Sequence, residues 1–265
     1  MYPQMPIERQ PEQQSNGIKA FAARRPFLFV FVFFVVSSCL VLVDNYVLPF
    51  PTPPFDQVVQ SLLAIGVLAW LGWLRLAGFN GPSKWRSLYL LWLPGLLALF
   101  YLSSFFLTIQ VSSARLVVLA ALLALLNGLS EEARFRGVIL QALLPYGWLR
   151  AAALSAVFFG LAHLTNFLVY PPLLALGYVV GAFAFGFGYA ACRLRTNVIW
   201  PLIIFHACAD LFPNFTVLNG GTTPAFYLSS LYVIVTGVFS FLLIGYGLFL
   251  LRPRRQQHLE MLAEQ

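Results

Sequence analysis

The chain has 265 residues, of which 60% are hydrophobic, 16% aromatic and 9% charged, and its mean hydropathy is +0.81. This composition excludes an ordinary soluble globular protein, and at about 20 apolar residues per span the length predicts an all-α polytopic membrane protein of roughly eight transmembrane helices. The net charge of +7 does not indicate a nucleic-acid partner, because the basic residues lie at the ends of apolar runs, where they determine membrane topology.

Residues 1–26 are rich in Pro, Gln and Arg and show no hydrophobic period, which predicts a disordered cytosolic tail. A single transmembrane domain is predicted over residues 27–251, and residues 252–265 form a short polar tail. Pro145–Gly147 predicts an abrupt stop after the fourth span, and Pro51–Pro54 an external loop. The candidate spans in chain order are residues 27–43, 57–78, 88–108, 115–137, 151–170, 172–192, 197–213 and 227–251.

The basic residues give the predicted orientation. With a cytosolic N-terminus, each of the 16 Lys and Arg residues except Arg115 falls on the cytosolic side. Such a strong positive-inside bias predicts an even number of spans with both termini in the cytosol. The short loops and compact size favour a bacterial inner membrane over the endoplasmic reticulum.

Ionisable residues gather at the end of the fourth apolar run, in the stretch Leu129–Arg136. Charges at bilayer depth are costly, so these residues are functional candidates. Glu132 and Arg136 are four residues apart and share a helix face, where they can form an ion pair. Glu131 points about 100° away from Glu132 and is left available for chemistry, although Arg134 can also reach it. The alternative interpretation is a juxtamembrane charge cluster that only ends the helix.

Two histidines, His163 and His206, lie inside other apolar spans, and Asp210 follows His206 by four residues on the same helix face. Either histidine alone is often only a hydrogen-bonded packing residue. Together with Glu131 and Glu132, however, these groups come from three different spans, and a shared cavity would let them solvate one another. The sequence therefore predicts one polar site within the membrane that opens towards the cytosol.

Three motifs follow one another along these spans: Glu131-Glu132-x-x-x-Arg136, Phe159-x-x-x-His163 and His206-x-x-x-Asp210. This ordered set resembles the CAAX-processing and bacteriocin-processing (CPBP, or Abi) family of intramembrane proteases, whose eukaryotic member is the type II CAAX prenyl endopeptidase. The resemblance covers about residues 115–213, which would form the protease core. It implies an eight-helix protein that hydrolyses peptide bonds in a cavity within the membrane.

The resemblance implies a role for each motif position: Glu131 as the general base that activates water, His163 as a residue that helps to hold this water, Glu132 and Arg136 as a supporting pair, and His206 with Asp210 as the oxyanion site. Some members carry Asn where this chain has Asp210, which can donate a hydrogen bond only when protonated. Its carboxyl group is therefore neutral, or it orients and charges His206, or the site holds a metal.

Zinc is the metal to consider, because Glu131, His163, His206 and Asp210 would make a plausible ligand set. The chain has no HExxH motif, however, and its three cysteines are isolated within or beside apolar segments. A glutamate-based mechanism without a cofactor is therefore favoured.

The predicted partners are the lipid bilayer and a membrane-anchored protein or peptide substrate, without nucleic acid. Two other functions fit part of the pattern. A proton-coupled transporter would also line a cavity with Glu, His and Asp, but the chain shows no paired half-sequences with interrupted spans. A non-catalytic membrane scaffold or bacteriocin self-immunity protein of the same fold would carry the motifs without turnover.

Overall fold

The structure is a computed structural model that describes residues 17–46, 55–82, 85–108, 113–168, 170–220 and 230–252, and all regular secondary structure in these residues is helical. The α-helices are α1 (Gly17–Arg24), α2 (Pro26–Tyr46), α3 (Phe55–Leu71), α4 (Trp92–Thr108), α5 (Ala114–Glu132), α6 (Leu140–Leu143), α7 (Trp148–Ala162), α8 (Pro172–Thr196), α9 (Trp200–Leu218) and α10 (Ser230–Leu250). A π-helical segment at Ala133–Ile139 joins α5 to α6, and 3₁₀ segments lie at Trp85–Leu91, Leu144–Tyr146 and His163–Leu168.

Six of the described helical stretches are long and apolar enough to cross a membrane. Two shorter apolar helices, Phe55–Leu71 and Ile234–Leu250, accompany them. Together, these helical stretches and shorter helices give the eight apolar segments that the sequence predicts, and each overlaps one candidate span. The all-α polytopic architecture is therefore confirmed.

The first helix is not expected from the sequence, which predicts a disordered tail over residues 1–26, whereas residues 17–24 form α1. Ala22 is buried, and the ring of Phe21 meets the ring of Phe29 edge-on, with 6.4 Å between centroids. These apolar contacts with α2 hold the short helix, which corrects the predicted tail for these residues. The predicted segments that lie outside the described residues are 1–16, 51–54 and 253–265.

Two spans end at other places than predicted. Helix α3 ends at Leu71 instead of residue 78, because Gly72 adopts a φ of +73° and turns the chain. The fourth span continues to Tyr146 instead of residue 137, since the π-helical segment extends it. The predicted stop itself is confirmed: Gly147 has a φ of +89° and ends the 3₁₀ turn that contains Pro145.

Close packing of α5 against α9 brings the polar residues of these two spans together. A Cβ atom on Gly128 would lie 2.7 Å from the carbonyl oxygen of Ile203, so this approach requires glycine. Small residues play this part in membrane proteins because helices in lipid associate through close van der Waals contact. Helix α7 packs on α8 in a similar way, where a Cβ atom on Gly160 would lie 3.2 Å from the carbonyl oxygen of Val179.

The loop that follows α3 is hydrogen-bonded to the end of α8 and to the turn between α8 and α9. The backbone N–H of Ile199 donates a 3.0 Å hydrogen bond to the carbonyl oxygen of Gly78. The buried guanidinium group of Arg193 donates to the carbonyl oxygen of Leu76. These bonds hold the loop after α3 against α8 and the start of α9, the helix that carries His206 and Asp210.

Candidate active site

The predicted site residues of the fourth span lie where the helix changes from α to π geometry. Glu131 and Glu132 are the last two residues of α5, and the π-helical segment after them is buried throughout. Its Phe135 carbonyl oxygen accepts a 2.8 Å hydrogen bond from the hydroxyl group of Ser155 on α7. Segments of this kind frequently occur at functional sites. Here the segment positions Arg134 and Arg136 inside the protein.

Glu132 connects two spans through a single carboxylate oxygen. Its Oε1 atom lies 3.0 Å from Nη1 of Arg136 and accepts a 2.8 Å hydrogen bond from Nδ1 of His206. The side chains of Glu132 and Arg136 have no exposed surface. The ion pair expected from their four-residue spacing is therefore present, and it also orients the imidazole ring of α9.

Arg136 is enclosed by aromatic rings. Its guanidinium carbon lies 4.2 Å from the ring centroid of Phe159 and 5.5 Å from that of Tyr189. A guanidinium group over the face of an aromatic ring gains a cation–π attraction, which is larger when water is excluded. Phe159, the first residue of the second motif, thereby helps to hold the supporting pair of the first motif.

The second ring nitrogen of His206 faces two further carboxylates. Its Nε2 atom lies 3.5 Å from Oε2 of Glu131 and 3.6 Å from Oδ2 of Asp210. The side chains of Glu131 and Asp210 are 17% and 23% exposed, whereas that of Glu132 is fully enclosed. The site therefore has an inner carboxylate that binds protein groups and two outer carboxylates that solvent or a ligand can reach.

Asn127 belongs to the site, although the sequence did not single it out. Its Nδ2 atom donates a 2.6 Å hydrogen bond to Oδ2 of Asp210. The available signal was its position on α5, four residues before Glu131 and therefore on the same helix face. An amide donor on α5 thus faces the Asp210 carboxylate of the neighbouring span.

His163 lies at the C-terminal end of α7, where the helix changes to a 3₁₀ turn. Its Nδ1–H donates a 2.9 Å hydrogen bond to the carbonyl oxygen of Phe159, which leaves Nε2 as an acceptor. The ring of Phe159 touches both imidazoles, with centroid distances of 4.9 Å to His163 and 6.0 Å to His206. No hydrogen bond or ion pair between His163 and Glu131 occurs in the described residues, so the structure does not bring His163 into direct contact with the carboxylates around His206.

The side chains as placed do not fit a zinc site. In the part of the chain that the structure describes, no group of three or more His, Cys, Asp or Glu side chains is arranged to bind a metal ion. Nδ1 of His206 is bonded to Glu132 and is therefore not free to bind a metal ion.

Comparison with known families connects this geometry to an activity. Residues 113–212 match the family model of type II CAAX prenyl endopeptidase Rce1-like proteins. The segment is Rce1-like. The resemblance inferred from the three motifs is thus confirmed over these residues, which include every predicted site residue. No match is found among curated proteins or among solved structures.

The Rce1-like segment begins just before α5 and ends within α9, so α1 to α4 and α10 lie outside it. Together with the six helices that are able to cross a membrane, the match supports an integral multi-pass membrane protein with protease activity of the CAAX type.

Proposed function

We propose that this chain is an intramembrane endopeptidase that hydrolyses a peptide bond of a membrane-associated protein or peptide. The observation that supports it most is the meeting of two spans around His206. One ring nitrogen is bonded to Glu132, while the other lies within 3.6 Å of carboxylate oxygens from Glu131 and Asp210. The Rce1-like match to the same residues supplies the class of reaction.

In this proposal Glu131 is the general base. Glu132 is enclosed, ion-paired with Arg136 and hydrogen-bonded to His206, so Glu131 is the carboxylate of the pair that water can reach. Glu131 takes a proton from water while the water oxygen bonds to the carbonyl carbon of the substrate. It then delivers that proton to the leaving nitrogen as the C–N bond breaks. Nε2 of His163 accepts a hydrogen bond from the attacking water and orients it.

His206 is the proposed donor to the oxyanion. Because Nδ1–H donates to Glu132, a doubly protonated ring presents a second N–H at Nε2. A preorganised donor facing the developing oxyanion typically contributes about 3 kcal/mol to transition-state stabilisation. Of the three roles open to Asp210, the proposal assigns it that of an ionised carboxylate that orients and charges His206, because its Oδ2 atom lies 3.6 Å from Nε2 of that ring. The second amide hydrogen of Asn127 is then available to the oxyanion.

The proposed location is a bacterial inner membrane, with both termini in the cytosol. The positive-inside bias of the basic residues supports this orientation, because only Arg115 falls on the opposite side. The proposed partners are the surrounding bilayer and a membrane-anchored substrate. No cofactor is proposed.

Comparison of membrane-protein termini in cells tests the function. Cells that produce the wild-type protein should contain new termini, within or beside membrane segments, that are missing from cells producing Glu131→Gln. The control is Leu62→Val, a change on the exposed surface of α3, which should give the wild-type pattern. Purified protein should also hydrolyse a farnesylated peptide ending in a CAAX sequence.

Two outcomes would contradict the proposal in favour of the other functions. Full rescue of the cellular phenotype by Glu131→Gln would indicate a scaffold or immunity protein. Proton-driven uptake by liposomes containing the purified protein, without peptide cleavage, would indicate a transporter.

A further inference from the structure

Helix α3 carries a polar face that lies outside the Rce1-like segment. Gln57, Gln60 and Ser61 are spaced as i, i+3 and i+4 and therefore share this face. Gln60 and Ser61 are only 3% and 5% exposed. The side-chain oxygens of all three residues are buried and have no hydrogen-bond partner among the described residues. Buried polar atoms are costly unless something satisfies them, so this face lacks a partner.

Helix α3 lies beside the helical stretch that carries the proposed general base. Helix α3 packs against α5 and the π-helical segment. Towards its C-terminal end, Cδ1 of Leu68 lies 3.0 Å from the position that a Cβ atom on Gly137 would occupy. At its N-terminal end, Asp56 interacts electrostatically with Arg134, which also interacts with Glu131. The polar face lies between Asp56 and Leu68 and is therefore alongside the end of α5.

Arg134 adds an unused donor to the same region. Its side chain is 6% exposed, and its guanidinium carbon lies 5.0 Å from the ring centroid of Phe135. Its Nε atom has no hydrogen-bond partner in the described part of the chain. Unsatisfied side-chain oxygens on α3 and an unsatisfied nitrogen on Arg134 thus occur where α3 packs against α5 and the π-helical segment.

We propose that the polar face of α3, with Arg134, is a subsite that binds the main chain of the substrate in an extended conformation. This inference rests on the proposed protease function. A peptide inside a membrane must keep its N–H and C=O groups hydrogen-bonded, which a helix does internally. Hydrolysis requires the peptide to unwind around the bond to be cleaved, and the released groups then need partners from the enzyme.

The chemistry and the spacing of the subsite match an extended peptide. The amide oxygens of Gln57 and Gln60 accept main-chain N–H groups, while the Ser61 hydroxyl and Arg134 Nε donate to carbonyl oxygens. Along α3, residues 57 and 60 or 61 are about 4.5–6 Å apart. Groups on the same side of an extended chain recur about every 6.6 Å, so two successive groups can bind at once. The two glutamines are uncharged, which favours a main-chain ligand over an ion.

The first test separates substrate binding from folding. Gln60→Leu keeps the size of the side chain and removes an unsatisfied buried oxygen, so thermal unfolding in detergent should occur at the wild-type temperature or above it. With reconstituted full-length protein and an internally quenched farnesylated CAAX peptide, the KM of Gln60→Leu should rise about 2- to 10-fold, the value of one neutral hydrogen bond. Leu62→Val on the exposed surface of the same helix should change neither quantity.

The second test identifies the bond itself. The peptide is N-methylated at one backbone position at a time, and KM is measured with wild-type protein and with Gln60→Leu. At the position whose N–H binds Gln60, methylation should raise the KM of wild-type protein but leave that of the variant unchanged.

The outcomes distinguish the subsite from the protease function. Equal KM values for the two proteins, or losses that add at every methylated position, would overturn the subsite and leave the protease function intact. A loss of thermal stability in Gln60→Leu without a change in KM would show a structural role and also overturn the subsite. Failure of the wild-type protein to hydrolyse the peptide would overturn the CAAX-type activity and the subsite together.

Discussion

At the scale of single residues, the three carboxylates of the site differ in exposure. One is enclosed and binds other protein groups, and two retain exposed surface. Glu132 is fully enclosed, ion-paired with Arg136 and hydrogen-bonded to His206, whereas Glu131 and Asp210 retain exposed surface beside Nε2 of His206. A buried charge is tolerated only when it is paired, so Glu132 and Arg136 depend on each other. The proposed division of roles follows from this difference in exposure.

Removing the charge of Glu132 should destabilise the protein. Glu132→Gln leaves the guanidinium group of Arg136 buried without a counter-charge, and we expect the free energy of unfolding to fall by about 3–5 kcal/mol. Glu132→Gln combined with Arg136→Met should recover part of this loss, because no unpaired charge is left. Unfolding in detergent measures both variants. Glu131→Gln is the control and should lose less, and a Glu132→Gln protein as stable as wild type would contradict the pairing.

Exchanging the side chains at positions 127 and 210 tests the role of Asn127. Asn127→Leu removes the donor to Asp210, and we expect kcat to fall by about tenfold or more with little change in KM. The double variant Asn127→Asp with Asp210→Asn returns one amide and one carboxylate to the same place, so it should recover much of the lost rate. Assays of peptide hydrolysis by the purified variants measure kcat and KM. An exchange variant no more active than Asn127→Leu would contradict the proposed pairing.

At the scale of helices, the site depends on how closely α5 approaches α9. The Glu132–His206 hydrogen bond joins these two helices, and the contact of Gly128 with the backbone of α9 sets their separation. Interiors transmit small displacements because they are closely packed. A shift of a few tenths of an ångström at Gly128 should therefore reach the site.

Gly128→Ala should reduce both stability and activity. The added Cβ atom would lie 2.7 Å from the carbonyl oxygen of Ile203, so α5 and α9 must separate and lengthen the bond between Glu132 and His206. We expect a destabilisation of about 1–3 kcal/mol, typical of overpacking, and a lower kcat. Gly177→Ala on α8 is the matched control, because nothing lies within 4 Å of its added Cβ atom. Similar behaviour of the two variants in unfolding and hydrolysis assays would contradict the close-packing account.

The sequence predicted the helices better than their local geometry. Spans about 20 residues long are evident from apolar runs, because lipid imposes both length and composition. The π-helical segment could not be predicted, since it depends on contacts such as the hydrogen bond from Ser155 to the Phe135 carbonyl group. Helix α1 was missed for a related reason: it has only 8 residues, too few to give a clear hydrophobic period, and packs on α2 through contacts such as that of Phe21 with Phe29.

At the scale of the whole molecule, the matched segment supplies the proposed chemistry, and α3 adds unsatisfied polar groups beside it. The motifs predicted that polar residues of three spans converge, because an isolated charge within the membrane is costly and such groups usually pair with one another. Asn127 and the α3 glutamines were not predicted, since a single amide in an apolar run carries no distinctive spacing. Their placement depends on which helices are neighbours, and apolar periodicity does not determine that.

The activity of purified Glu131→Gln protein in proteoliposomes tests the central claim most directly. The substitution keeps the shape of the side chain and removes only its ability to accept a proton from water. Loss of a general base typically lowers a rate about 10²- to 10⁴-fold. We therefore expect hydrolysis of the farnesylated CAAX peptide to fall by that factor, while thermal unfolding stays close to that of wild type. A rate within a few-fold of wild type would contradict a glutamate-based mechanism at residue 131.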